Sequence, residues 1–269
     1  MKGAGARASM KGAGARAGMT RALAGMLAVL SLVAGAGAPP ASGRELAARA
    51  TPPTRTLTTA EIKALKPPIV WKKIPYGAKR RREMAAYSKR HYGTRTWRLA
   101  DPKVIVEHYT ASTTFSSAWN TFASNTKNLG ELPGVCAHFI VDRDGTIYQL
   151  VPLSIRCRHA VGMNYTSIGI EHVGTSDRMV LTDKAQMRSS LRLTLWLMAR
   201  FGIDIGNVIG HAETLQSPYH HELYPSWRCL VHADFPHRAM KKYRTRERDL
   251  AAKKRVPVGK GPVWVDSGC

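Results

Sequence analysis

The chain has 269 residues, which is enough for one good-sized domain or two small ones. Its charge is one-sided, with 41 Lys and Arg against 18 Asp and Glu and a formal net charge of +23, which favours anionic partners such as nucleic acid, phospholipid head groups or an acidic polymer. An even number of cysteines permits disulfides in an exported chain, and the lack of a C-x-x-C pair argues against a cysteine-only zinc site. The spacing leaves the pairing open among four residues, Cys136, Cys157, Cys229 and Cys269.

The first 43 residues have the composition of an export signal. Lys and Arg occur there without any acidic residue, and an apolar run of small residues occupies 22–38. We predict a signal peptide at 1–43, with cleavage after Ala36 or Gly43. The alternative is a retained N-terminal anchor, although glycines interrupt the apolar run and its length is marginal for a membrane span.

The next two segments differ sharply in composition. Residues 44–69 are rich in Ala, Thr and Pro and are interpreted as a linker or pro-segment. Residues 76–93, YGAKRRREMAAYSKRHYG, predict a strongly basic helix that ends at Gly93. A solvated helix face is the default interpretation of such a charge run, and contact with an anionic polymer is the alternative.

From Lys103 onward the sequence alternates between strand and helix patterns. The segments KVIVEHY (103–109) and SIGIEHVG (167–174) predict strands, and FSSAWNTFASN (115–125) predicts a short helix with Ser or Thr near its start. Between them, CAHFIVDRDGTIYQLVP (136–152) predicts a hairpin, because its Asp-Gly pair favours a tight turn.

A longer helix follows the second strand pattern. Thr182 is predicted to cap it, with Asp183 in the first turn and a stop at Gly202. Its apolar face recurs at steps of three and four residues, at Met187, Leu191, Leu195 and Met198.

The order of these elements predicts the fold class. One more strand, NVIGHAE (207–213), follows the long helix. Strands interleaved with helices predict an α/β fold, in which a single domain at 70–250 contains a central mixed β-sheet flanked by helices. The basic C-terminal tail, 251–269, has no assigned structure or role.

Two of the predicted strands end in a histidine, IVEHYT at His108 and VIGHAE at His211. Ligands of open α/β sheets gather outside the strand ends, so the two imidazoles can share a metal ion there. Catalytic zinc usually takes three protein ligands and leaves one position for water, and Asp234 in VHADFPH (231–237) is the candidate third ligand. Since side chains alternate along a strand, Glu107 is expected to face away from the metal.

Six motifs together carry a resemblance to a known family. In chain order they are EHYTAS, AHFIVDRDGTIYQLVP, RHAVG, NYTSIGIEHVG, VIGHAE and HADFPH, and they cover most of residues 70–240. With them the chain resembles the zinc-dependent N-acetylmuramoyl-L-alanine amidases, the amidase type 2 group that includes bacteriophage T7 lysozyme and the peptidoglycan recognition proteins. The resemblance implies the fold of that family, a Zn²⁺ cofactor, and hydrolysis of the amide bond between N-acetylmuramic acid and L-alanine in peptidoglycan.

The resemblance also implies roles for individual residues. Cys229 is a weaker rival ligand because it lacks the family's spacing, and Glu171 matches the general base of some family members. Other members use a tyrosine immediately before the hairpin histidine, where this chain has Ala137. The three zinc ligands implied by the resemblance are His108, His211 and Asp234.

One position departs from the family pattern. Many relatives have a lysine two residues before the third ligand, where this chain has His232. A neutral imidazole can donate a hydrogen bond to the oxyanion, so His232 is predicted to be catalytic beside Glu171. His138 and His159 are predicted to line the cleft and bind substrate, with structural roles as the alternative.

These observations predict a monomeric enzyme of the cell envelope or extracellular space, whose substrate is peptidoglycan or a muropeptide. Anionic cell-wall polymers are candidate further partners, whereas no stable membrane partner is expected after signal cleavage. No nucleic-acid partner is expected either, because the helix-turn-helix, aromatic RNA-binding and zinc-finger patterns do not occur.

A non-catalytic peptidoglycan-binding protein on the same fold is the alternative, and the complete set of candidate ligand and base residues argues against it. The export signal disfavours a cytoplasmic amidase that recycles muropeptides.

Overall fold

A mixed six-stranded sheet forms the centre of the molecule. The computed structural model describes residues 55–269, so the predicted signal peptide lies outside the described residues. The strand order is β1-β4-β3-β5-β2-β6, and neighbouring strands are parallel except for β3 and β4. The strands are Val70–Trp71 (β1), Val104–Tyr109 (β2), Phe139–Val141 (β3), Ile147–Gln149 (β4), Ser167–His172 (β5) and Val208–Gly210 (β6).

Helices flank this sheet, which confirms the predicted α/β class. Thr114 caps the predicted short helix by accepting a hydrogen bond from the N–H of Ser117. The basic helix ends at Gly93 as predicted. The α-helices of the described residues are Thr59–Leu65 (α1), Ala78–Tyr92 (α2), Phe115–Ala123 (α3), Asp177–Thr182 (α4), Lys184–Phe201 (α5) and His237–Lys254 (α6).

Apolar clusters cover the sheet on both faces. Phe139 of β3 belongs to a cluster with Leu193 of α5 and Met240 of α6. The next residue of the same strand, Ile140, belongs to a separate cluster with Phe122 of α3. Because successive side chains of a strand point to opposite faces, the two clusters are the two sides of one sheet. The central strands are therefore buried on both faces, which explains their continuous apolar runs.

The start of the long helix differs from the prediction. Asp183 is the N-cap of α5, and its carboxylate accepts hydrogen bonds from the N–H groups of Ala185 and Gln186. Thr182 is instead the last residue of α4, a short helix that was not predicted. An aspartate is as good a cap as a threonine, so the local sequence does not distinguish the two starting points.

Parts of the predicted linker and tail belong to the packed structure. Within the predicted linker or pro-segment 44–69, α1 packs Ile62 and Leu65 against the cluster that contains α5. In the C-terminal tail, the N–H of Ile205 donates to the carbonyl of Val258 (2.7 Å) and the N–H of Gly206 donates to Lys260 (2.9 Å). The pro-segment role itself stays a prediction.

The four cysteines form two disulfides, Cys136–Cys157 and Cys229–Cys269. The first is buried beside β3, and the second ties the last residue of the chain to the loop before Asp234. Within residues 55–269, no helix combines the length and the apolar character needed to cross a bilayer.

Candidate active site

Two imidazoles and a carboxylate meet where β2 and β6 end. The strands are parallel neighbours, so His108 near the end of β2 and His211 directly after β6 lie at the same edge of the sheet. Their Nδ1 atoms are 3.1 Å apart, and Oδ2 of Asp234 lies 3.2 Å from each. These three donor atoms, named here the donor triangle, have nearly equal separations.

Because Gly210 has no side chain, the loop that carries Asp234 can lie close to the end of β6. A Cβ atom on Gly210 would lie 1.8 Å from the carbonyl oxygen of Phe235, so a larger residue forces the loop to move. The loop is held there by a hydrogen bond from the N–H of Ala212 to the carbonyl of Asp234 (2.9 Å) and by the fully buried ring of Phe235. The third corner of the triangle thus depends on a backbone contact that only glycine permits.

The donor triangle has the chemistry and size of a zinc site. Two imidazoles and a carboxylate are typical ligands of catalytic zinc, and three ligands of a tetrahedral ion at about 2.0–2.1 Å lie about 3.3–3.4 Å apart. The observed separations of 3.1–3.2 Å are close to that value. The residues present therefore fit a zinc ion.

The electrostatics of the triangle also suit a cation. Burial by itself would raise the pKa of Asp234, but the adjacent imidazoles of His108 and His211 outweigh this and hold the pKa well below its usual range. Burial, together with the nearby His108, lowers the pKa of His211 to about 3. Asp234 is therefore ionised and His211 neutral at pH 7, which are the protonation states that bind metals.

A chain of hydrogen bonds orients the ring of His108. The hydroxyl of Ser167 donates to the carbonyl of Met163 (2.8 Å), so its oxygen accepts from Nε2–H of His159 (3.2 Å). Nδ1 of His159 is then an acceptor for Nε2–H of His108, at 3.1 Å. A neutral His108 bonded in this way carries its free lone pair on Nδ1, which faces the triangle.

Close packing holds His159 in this chain. A Cβ atom on Gly169 would lie 2.6 Å from the His159 ring, so a larger side chain in β5 would displace the imidazole. Burial lowers the pKa of His159 well below its ordinary value, and the neighbouring histidines lower it further. His159 is therefore neutral, as its acceptor role requires.

Glu171 and His232 lie beside the triangle, and each has a free polar atom. Glu171 pairs in register with His108 on the neighbouring strand, and burial raises the pKa of Glu171 to about 7. The His232 ring stacks on His211 with centroids 3.5 Å apart. Within the described residues, Oε2 of Glu171 and Nε2 of His232 are buried without a hydrogen-bond partner. Both atoms are available to a substrate.

Comparison with known proteins identifies similar sequences and structures. Residues 98–222 match the family model described as N-acetylmuramoyl-L-alanine amidase. This match covers the predicted residues His108, Glu171 and His211. Over these residues the chain is similar to this amidase family.

Two curated relatives of the chain, both from Salmonella typhimurium, are named 1,6-anhydro-N-acetylmuramyl-L-alanine amidase AmpD. Each is 39% identical over 87 residues, which is 29% of this chain and 46% of the relative. The chain thus spans about half the length of the curated relatives it matches.

Solved structures of amidases are also similar to the chain. The N-acetylmuramoyl-L-alanine amidase LysC from Clostridium intestinale URNW is 21% identical, and the match covers 71% of this chain and 100% of LysC with a TM-score of 0.43. The amidase AmiD from E. coli is 28% identical, and the match covers 42% of this chain and 50% of AmiD with a TM-score of 0.34. The AmiD structure is a complex with anhydro-N-acetylmuramic acid-L-Ala-D-gamma-Glu-L-Lys.

A cleft with a volume of about 400 Å³ opens beside the donor triangle. Arg158 shapes its rim, because the guanidinium donates to the carbonyls of Asn128, Glu131 and Pro133 and so fastens the 128–133 loop. Leu129, at the tip of that loop, is 53% exposed. The side chains that form the apolar wall are Ala118, Phe122, Leu129, Val135 and Val161.

The two histidines that were predicted to bind substrate differ in their position relative to the cleft. His159 lines the cleft, whereas His138 does not. The ring of His138 is fully buried, and its nitrogens bond to the carbonyl of Ile155 (2.9 Å) and the N–H of Gly169 (3.0 Å). Of the two roles weighed for His138, the structural one fits this position, because neither nitrogen can reach a substrate.

Several residues of the site were not found from the sequence. Ser167, Gly169 and Gly210 act through contacts with residues distant in the chain, and no local pattern marks them. Arg158 was also missed, although its place directly before His159 in the RHAVG motif was a usable signal.

Proposed function

We propose that the protein is a zinc-dependent hydrolase that cleaves the amide bond between N-acetylmuramic acid and L-alanine in peptidoglycan. The observation that carries the proposal is the donor triangle, which opens into a cleft and lies beside the buried carboxyl of Glu171, whose Oε2 has no hydrogen-bond partner within residues 55–269. His108, His211 and Asp234 would hold the zinc. Bound there, zinc supplies Lewis-acid activation of a water molecule and of the substrate carbonyl.

Glu171 is assigned the proton transfers. Its free Oε2 takes a proton from the attacking water, the oxygen bonds to the lactyl carbonyl carbon, and the C–N bond breaks. Glu171 then returns the proton to the nitrogen of L-alanine, so the products are a carboxylic acid and a free amine. Its buried position supports this role, because a carboxyl with a pKa of about 7 can both accept and donate a proton near neutral pH.

His232 is assigned to the carbonyl oxygen. Burial lowers the pKa of His232, so its ring is neutral near pH 7 and one nitrogen carries a proton. Stacking on His211 holds the ring at the cleft with Nε2 free of partners in the described residues. A donor fixed in this way stabilises negative charge on the oxygen as it develops.

We further propose that the enzyme acts in the cell envelope or outside the cell. Disulfides persist in oxidising compartments and are rare in the cytosol, and all four cysteines of this chain are paired. Both bonds join segments that are distant in sequence, by 21 and 40 residues. This supports the export predicted from residues 1–43.

The test is digestion of purified peptidoglycan by the full protein, with chelator, after adding zinc back, and with Glu171→Gln as the matched inactive control. We expect new L-alanine amino termini without new reducing sugar ends, lost on chelation and restored by zinc. New sugar ends alone would identify a glycosidase. Binding of peptidoglycan without either product would identify a non-catalytic binding protein.

A further inference from the structure

A groove between α5 and α6 forms a second concave surface, away from the active site. Its volume is about 500 Å³, and none of its lining residues also lines the catalytic cleft. The residues that line it are Arg188, Leu191, Arg192, Arg246, Asp249, Leu250, Lys253 and Lys254. We name this surface the basic groove.

The charge of the basic groove is unbalanced. Five of its residues are cationic and one, Asp249, is acidic. All five cationic side chains belong to exposed residues, and in the described part of the chain none of them forms an ion pair within 4.0 Å. The cations are therefore available to an external anion.

The cations of the groove differ in how their own helices accommodate them. Arg188 and Arg192 are four residues apart on α5, so they lie on the same helix face, where like charges destabilise a helix. Lys253 and Lys254 are adjacent at the end of α6, where the helix dipole favours them. Asp249 is the one acid among the residues that line the groove, and a bound polyanion would supply the remaining counter-charge.

The groove also contains one hydrogen-bonded cation and two apolar side chains. One guanidinium nitrogen of Arg246 donates to the carbonyl of Leu181 at 2.7 Å, which restrains that side chain. Half-buried Leu191 and Leu250 supply apolar surface between the cations. Cationic and apolar side chains in one groove suit a chain in which phosphates are separated by short carbon units.

We propose that the basic groove binds a linear phosphodiester polymer of the cell wall, built of polyol units, and so holds the enzyme at its substrate. The choice of a wall polymer rests on the proposed function, whereas the anion-binding chemistry does not. The groove residues include no aromatic ring on which a nucleic-acid base could stack. A concave surface without an exposed large apolar side chain is also unsuited to a membrane.

The experiment measures binding of an end-labelled glycerol phosphate polymer to the full protein over a range of salt concentrations. The test variant is Arg192→Gln with Lys253→Gln, and the matched control is Lys79→Gln with Arg82→Gln, which removes two exposed cations from α2 instead. We expect the groove variant to bind about tenfold or more weakly at low salt, with a shallower salt dependence. The control variant should bind within about twofold of the unchanged protein, because its cations lie outside the groove.

Three outcomes would overturn the proposal. Equal loss in the two variants would show general attraction to a basic protein and no defined groove. Equal or tighter binding of an oligothymidylate of matched charge would identify a nucleic-acid surface, and preferential binding of anionic vesicles would identify a membrane surface.

Hydrolysis of a soluble muropeptide separates this proposal from the proposed function. The groove variant should retain full turnover, because it leaves the donor triangle intact. A protein that binds the polymer and fails to hydrolyse muropeptides would contradict the amidase and leave the docking groove standing.

Discussion

Nε2 of His108 lies 3.1 Å from Nδ1 of His159, and this contact selects the nitrogen that His108 presents to the donor triangle. The selection begins at Ser167, whose hydroxyl is already committed to the carbonyl of Met163. The Ser167 oxygen can then only accept, from Nε2–H of His159, and Nδ1 of His159 in turn accepts from Nε2–H of His108. The ring that was predicted to contact substrate thus also acts as a positioning group for a proposed metal ligand.

Replacing His159 with Gln should therefore weaken zinc binding. Outer-shell partners of zinc histidines typically contribute about 10–100-fold to metal affinity, and we expect a loss in that range from competition with a chelating dye. The matched control is His221→Gln, because His221 is exposed and outside the cleft. Unchanged zinc affinity in His159→Gln would contradict the positioning role.

Glu171→Gln should remove turnover and keep the metal. Glutamine preserves the shape of the side chain but cannot carry the proton, and general acid–base groups typically contribute about 10²–10⁴-fold to rate. Zinc content by metal analysis should equal that of the unchanged protein. Glu83→Gln on α2 is the control, and loss of zinc together with turnover would indicate that Glu171 supports the metal instead.

His232→Ala should lower turnover far more than zinc content. Loss of one oxyanion donor typically lowers kcat by about 10²–10³-fold, whereas the three donors of the triangle remain in place. The measurement combines kcat on a soluble muropeptide with metal analysis. If turnover and zinc fall by the same factor, His232 is a ligand and the assignment here is wrong.

Gly210→Ala should disturb the site through the backbone. The added Cβ atom would lie 1.8 Å from the carbonyl oxygen of Phe235, so the loop with Asp234 must shift. We expect a loss of about 1–3 kcal/mol in the free energy of unfolding, together with weaker zinc binding. Gly77→Ala is the control, because a Cβ there meets no atom within 4 Å. Equal unfolding midpoints in the two variants would contradict the steric argument.

Glu247 makes the stability of the protein depend on pH. Burial raises the pKa of Glu247 well above its ordinary value, and nearby Glu107 raises it further. Neither oxygen of Glu247 has a partner within the described residues. The titratable groups near it are Glu107 on β2 and the Tyr243 hydroxyl on α6, and burial raises the pKa of both.

A carboxyl with a raised folded-state pKa stabilises the protein below its unfolded-state pKa, and this stability is lost as the pH rises toward the folded-state value. Glu247→Met removes the titration at similar volume. The variant should therefore be more stable than the unchanged protein at pH 8, by about 1–3 kcal/mol, with a smaller difference at pH 5. Denaturant unfolding at the two pH values tests this, and a difference that is equal at both would contradict it.

Local sequence patterns were sufficient to predict the two strands that carry His108 and His211. The apolar runs of β2 and β6 are long enough to identify strands, and each leads directly to a histidine. Because parallel strand ends meet at one edge of a sheet, the proximity of His108 and His211 follows from the sequence. The α/β class and the family resemblance, both expected from the sequence, are confirmed.

Other features depend on contacts between distant residues. The sequence does not distinguish Thr182 from Asp183 as the N-cap of α5, because either residue type can cap a helix. The helix α4 has too few residues to show a hydrophobic periodicity. The helix α6 was not predicted, although the face it buries contributes Tyr243, Glu247 and the ion pair of Arg244 with Glu213. Its largely polar composition conceals that face, because buried charged residues do not contribute to an apolar period.

The sequence alone determined which residues end the strands and which ligand chemistry they offer, since strand pattern and residue type are local properties. Only the tertiary structure decided the cysteine pairing, the approach of Phe235 to Gly210, and the hydrogen-bond order from Ser167 to His108. The physical reason is distance along the chain. Each of these contacts joins segments that folding alone brings within a few ångströms, and their geometry selects the donor atoms that face the site.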